Sequence, residues 1–231
     1  MDSKQNGVSP MLVVLAAVFV TCLIVANVVA SKLLQIGPLV LAGGLLCFPI
    51  VYIIGDVVPE VYGLPTARKI IWLGFACNLL AVAFFVLTLR LPYAPFWENQ
   101  SAFETVLSVT PRLLLASFVA YLCGTNVNAW VLVRIKQATG PKYLWVRTIT
   151  STLFGEGVDS LVFTLIAFWG VVPAFAIPNM VIGATLAKTL YEAIVTPVTY
   201  WVINSIKRYE RKAGREIANE PAPVTAVLAG A

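Results

Sequence analysis

Six separate apolar runs, each long enough to cross a bilayer, constrain this chain more than any other feature. They lie near Pro10–Ser31, Pro38–Val57, Ala67–Leu91, Pro111–Val133, Thr148–Val172 and Asn179–Ile206. A hydrocarbon core about 30 Å thick takes roughly 20 apolar residues as a helix. Lipid offers no hydrogen bonds, so the backbone of each run must satisfy itself, and helices are the natural form. The alternating pattern of a membrane barrel is absent. The composition agrees: the chain is 59% hydrophobic and 12% charged, where a soluble domain is about a quarter charged. The sequence therefore predicts an all-α membrane protein with six transmembrane helices. Residues 10–206 form the membrane domain, 1–9 a short N-terminal segment and 207–231 a basic tail that becomes disordered. The first run is too long for a signal-peptide core and is read as a retained span.

The cations set the orientation. With the N-terminus inside, the cytoplasmic segments hold Lys4, Arg68, Lys69, Arg134, Lys136, Lys142, Arg147 and the tail group Lys207, Arg208, Arg211, Lys212 and Arg215. The other side keeps Lys32, Arg90 and Arg112. That asymmetry follows the positive-inside rule and predicts both termini in the cytoplasm. It also explains the net charge of +5 without nucleic acid as a partner. The outer connection Leu91–Thr110 suits an interfacial loop with a short helix around Ala102–Leu107.

Cys22, Cys47, Cys77 and Cys123 all fall in apolar stretches, form no CxxC pair and have no histidine to join them. No metal site or cofactor is expected, and small buried hydrophobes are the better reading. Without histidine, any proton coupling falls to carboxylates.

Against this background the stretch STLFGEGVDSLVF stands out. Glu156 and Asp159 sit well inside the fifth run, three residues apart and therefore on one helix face. Central charges cost several kcal/mol and usually mark a pathway or a site. Two close carboxylates in low dielectric need a proton, a cation or a donor between them. Gly155 and Gly157 flank Glu156, and permit close approach of a helix or a ligand. A small-residue packing seam is the competing reading. In the sixth run, Lys188 and Glu192 lie one turn apart, as a self-contained pair or as ligand contacts. Asn78, Asn126 and Asn128 add amides at similar depth, each open to a simpler role as interhelical glue. Asp56 and Glu60, at the end of the second run, face Arg68 and Lys69 across a short loop, which suggests an interfacial latch or a gate.

Several separated motifs resemble the queuosine precursor transporters, a family related to vitamin uptake transporters. They are ANVVASK at Ala26–Lys32, GDVVPEVYG with ARKIIW at Gly55–Trp72, and PRLLLASFVAYL at Pro111–Leu122. LWVRTITSTLFGEGVDSLVFTLIAF at Leu144–Phe168 and KTLYEAIVTPVTYWVINSIK at Lys188–Lys207 complete the set. Some members carry Ser-Gln in place of Gly155-Glu156, and an Asp near the position of Asn128. The resemblance implies a multi-pass protein of the bacterial cytoplasmic membrane, similar to the six-helix binding subunits of energy-coupling-factor transporters but working without their ATPase. It implies import of a 7-deazaguanine base, preQ0 or preQ1, that supplies tRNA modification.

Such a cargo gives the acids a purpose. A guanine-like edge presents an N1–H beside an exocyclic amine, which one carboxylate accepts as a bidentate pair. Glu156 is the first candidate, with Asp159 for another ring N–H or a cationic aminomethyl group, and Lys188 or an Asn amide for the O6 carbonyl. Phe154, Tyr191, Trp72 and Trp130 are candidates for an aromatic wall. The chain is read as a transporter, not an enzyme, with a small-molecule substrate, the lipid bilayer and a second copy of itself as partners. The alternative is a vitamin- or nucleobase-binding subunit working with an ATPase module. An aspartyl-protease-like enzyme would use the acid pair but leaves Lys188 without a role.

Overall fold

The computed structural model describes residues 8–139, 144–215 and 217. The expected disorder of the tail beyond residue 217 lies outside the described residues, as do Lys4 and Lys142. Among the described residues, six helices are long and apolar enough to span a membrane.

Helix α1 runs Pro10–Val29, started by Pro10 and by the Ser9 hydroxyl, which accepts from the amides of Met11 and Leu12. A hairpin follows, with β1 at Leu33–Ile36 antiparallel to β2 at Leu39–Ala42 and Ile36 opposite Leu39. Gly37 turns it at φ 58°, a backbone conformation that favours glycine. A 3₁₀ turn, Gly43–Cys47, leads into α2, Phe48–Tyr62. Gly63, at φ 85°, reverses the chain directly into α3, Leu64–Arg90. Short α4, Gln100–Leu107, precedes α5, Thr110–Thr139, then α6, Leu144–Phe168, and α7, Ala176–Lys212.

The second run is thus corrected at its start. Leu39–Ala42 is a strand, and the helix of this span begins only at Phe48. An apolar run of ten residues has no composition that separates strand from helix. The Gly37–Pro38 and Gly43–Gly44 pairs are the punctuation that divides it. The two strands pair with each other, and Asn179 of α7 clasps the hairpin by accepting from the Val40 amide and donating to the Pro38 carbonyl, both at 2.8 Å. Helix α2 also extends past the expected end, through Pro59 to Tyr62, so Asp56 and Glu60 belong to the helix.

Three apolar clusters hold the bundle. Phe19, Ile54, Val58, Ala67 and Ile70 join α1, α2 and α3, while Val57, Val61 and Ile206 join α2 to α7. Ala30, Leu113, Ala116, Phe168 and Met180 pack the hairpin end. Helices α5 and α6 approach most closely at glycine: a Cβ on Gly124 would meet the Asp159 Cβ at 2.8 Å, and one on Gly155 would meet the Asn128 Cβ at 2.7 Å. The start of α1 and the end of α7 meet on one side. Ser9 and Tyr62 donate to Glu210, which also pairs with Arg215 at 3.0 Å. The four cysteines are free and half-buried, more exposed than the sequence reading supposed.

Candidate functional site

Glu156 and Asp159 are brought together with Lys188 in the middle of the bundle. Lys188 is 4% exposed. Its ammonium donates to Asp159 Oδ2 and lies 3.3 Å from Glu156 Oε2. Tyr52 on α2 donates to Glu156 Oε1 at 2.9 Å. Phe48, one turn earlier, places its ring centroid 5.1 Å from the Lys188 ammonium, a cation–π contact in a desolvated setting. Glu156 and Lys188 are each twelve residues from the hairpin-side end of their helices, about 18 Å at 1.5 Å per residue. That is near the midplane of a 30 Å core.

The chemistry is that of an over-supplied acceptor. One ammonium bridges two carboxylates, and Glu156 Oε2, though beside it, has no hydrogen bond of good geometry among the described residues. Glu192 lies within electrostatic reach of Glu156 and Asp56. A single lysine thus stands between two carboxylates of α6, with a third on its own helix nearby. Apart from its chain neighbours and its own helix backbone, no described atom lies within 4 Å of where a Cβ on Gly157 would stand. Gly155 does the reverse and forms the close seam with α5. The packing-seam reading therefore holds for Gly155 and not for Gly157.

Other candidates fall elsewhere. Lys188 pairs across to α6 rather than with Glu192 on its own helix. Asn78, 2% exposed, accepts from Asn27 at 3.0 Å, and Asn27 accepts from Ser117 at 3.0 Å. This neutral knot ties α1, α3 and α5 and satisfies Asn78 away from the acids. Asn126 is exposed and donates to the Leu122 carbonyl of its own helix. Asn128 packs on Gly155 with its Oδ1 buried and unbonded among the described residues. Glu60 pairs with Lys207 of α7 at 2.7 Å, and Arg68 is exposed, so the latch joins α2 to α7 rather than to α3.

The aromatic wall is also corrected. Trp72, 62% exposed, packs its ring near Phe118, and Trp130 stacks under Arg134 at 5.4 Å. Phe154 is exposed on the far face of α6, two residues from Glu156 and so about 200° around the helix. Tyr191 is half-buried. The rings beside the acids are Phe48 and Tyr52, 5.7 Å apart. Their spacing of four on an apolar helix was the available signal, masked because the hairpin had been merged with α2.

A family model described as "Putative vitamin uptake transporter" matches residues 42–202 of the chain. The chain belongs to this family. A "Probable queuosine precursor transporter" of Bacillus subtilis is 29% identical over 81% of this chain and 82% of its own length. The "Queuosine precursor transporter" of Escherichia coli is 32% identical over 57% of each chain. No solved structure matches. Membership in this transporter family, with six helices able to span, makes the protein a multi-pass bacterial membrane protein. The charged cluster of this family member joins α2, α6 and α7, and its residues Phe48, Tyr52, Glu156, Asp159 and Lys188 all lie within the matched segment.

Proposed function

We propose that this chain imports 7-deazaguanine precursors of queuosine, preQ0 or preQ1, across the cytoplasmic membrane, with both termini inside. The observation that carries the reading is the Lys188 ammonium shared by Glu156 and Asp159 in the bundle interior. Relatives are named for queuosine precursors, and a base of this class offers the donors that such carboxylates accept.

The site holds internal stand-ins for the cargo. The Tyr52 hydroxyl that donates to Glu156 Oε1 and the Lys188 ammonium 3.3 Å from Oε2 stand where the N1–H and exocyclic amine of the base would lie. Binding exchanges these donors rather than creating new bonds from nothing. The freed ammonium then turns to the O6 carbonyl while Asp159 keeps its charge balanced. An adenine-like edge leaves Glu156 unpaired in a dry setting and is rejected. Phe48 and Tyr52 supply the ring faces against which the base lies, and Glu192 borders the site. Release of Lys188 from Glu156 loosens the join between α6 and α7, which biases the bundle toward its alternate opening.

Glu156→Gln tests the assignment. The variant is expected to insert and fold normally but to lose binding and vesicle uptake of both bases by at least 100-fold. Wild-type affinity in that variant would refute the role of Glu156. Uptake that requires ATP and a nucleotide-binding partner would favour the vitamin-type coupled subunit.

A further inference from the structure

The polar groups outside the central cluster follow one seam. On α2, Tyr52, Asp56 and Glu60 recur every four residues; on α7, Glu192, Thr196, Thr199 and Lys207 recur at threes, fours and their sums. Such spacings place each set on one helix face. The two faces meet in a cleft of 700 Å³ lined by Asp56, Glu60, Thr196, Thr199, Asn204 and Lys207 among others. The Glu60–Lys207 ion pair stands at its end toward the terminus-bearing side. Glu192, one turn from Thr196 and coupled to both Asp56 and Glu156, links the cleft to the central cluster. Along α7, Lys207 is about 28 Å from Lys188 at 1.5 Å per residue, so the seam reaches from the site to the membrane face.

One side chain in the cleft has no packing explanation. Thr199 is 5% exposed, and its Oγ1 has no partner among the described residues. Thr185, Thr189 and Thr196 on the same helix each donate to the carbonyl four residues back, the usual outlet for such a hydroxyl. Thr199 does not use it. An interior hydroxyl left unbonded destabilises the fold, a penalty that valine would avoid. Pro197 lies two residues away and brings no N–H to the Ala193 carbonyl, so that carbonyl lacks its helical donor. Asp56 contributes a carboxylate with no ion pair among the described residues.

We infer that Asp56 and Thr199 form a second, inner station on a path between α2 and α7, and that the Glu60–Lys207 pair bars its mouth. The station takes a neutral or cationic planar heterocycle with N–H donors, because its free groups are mainly acceptors and its carboxylates repel anions. The ligand class rests on the function proposed above, whereas the path does not. The test places Thr199→Cys in a chain whose Cys22, Cys47, Cys77 and Cys123 are replaced by alanine. Vesicles of both orientations are then treated with a membrane-impermeant thiol reagent. Modification is expected from the terminus-bearing side, faster by several-fold with Glu60→Gln, and slowed at least fivefold by saturating preQ1. No modification from that side, or no response to Glu60→Gln, overturns the path. Unslowed modification in vesicles that bind preQ1 overturns the station; if preQ1 does not bind at all, the transport reading fails while the first two readouts still decide the path. As a second variant, Thr199→Val is expected to raise Tm while lowering uptake at least fivefold, and unchanged uptake would also overturn the station.

Discussion

Two polar groupings sit inside this bundle and are built in opposite ways. Asn27, Asn78 and Ser117 tie α1, α3 and α5 with neutral bonds of 3.0 Å. Glu156, Asp159 and Lys188 tie α6 to α7 through charge, with more carboxylate than cation and one oxygen lacking a well-aligned donor. Neutral interhelical bonds contribute about 1 kcal/mol, whereas central charges are costly and persist where they act on something. The first grouping holds helices together; the second keeps its bonding capacity available.

The sharpest way to break this contrast is Lys188→Met. Removing the buried Lys188 ammonium that pairs with two half-buried carboxylates is expected to destabilise the fold by about 3–5 kcal/mol, read as a lower Tm in detergent, and to abolish uptake. Adding Glu156→Gln and Asp159→Asn is expected to restore most of the stability but none of the uptake. A triple variant as unstable as the single would attribute the loss to packing instead of charge. Gly124→Ala comes next. Its Cβ would stand 2.8 Å from the Asp159 Cβ and 3.0 Å from the Gly155 carbonyl, an overpacking of about 1–3 kcal/mol. Because it pushes Asp159 away from Lys188, uptake should fall with stability. Asn78→Leu is the mildest, at about 1 kcal/mol, with uptake per folded molecule within twofold of the parent. A larger loss of uptake would return Asn78 to the site.

What the sequence disclosed divides along the same physical line. The spans were legible because hydrophobic length is a one-dimensional property, and α4 was legible from its loop setting. Glu156, Asp159 and Lys188 were legible because charge in an apolar run is conspicuous. The pairing of Lys188 with α6 instead of Glu192 was not, since it depends on which helices meet. The aromatic wall failed for a related reason: Trp72, Trp130 and Phe154 look the same in sequence whether they face lipid or a cavity, and here they are exposed. The hairpin was hidden because its apolar residues continue the run that follows it, leaving glycine and proline as the sole markers.

The sharing of one ammonium by two carboxylates also has an electrical consequence. Counted formally, Glu156, Asp159 and Lys188 carry one surplus negative charge, which a neutral base leaves in place and an aminomethyl cation cancels. A cation moving inward gains about 2.3 kcal/mol from each 100 mV of inside-negative potential, and a neutral solute gains nothing. Under the proposed function, preQ1 and preQ0 would therefore accumulate to different extents in an energised cell, and an ionophore that collapses the voltage would erase the difference.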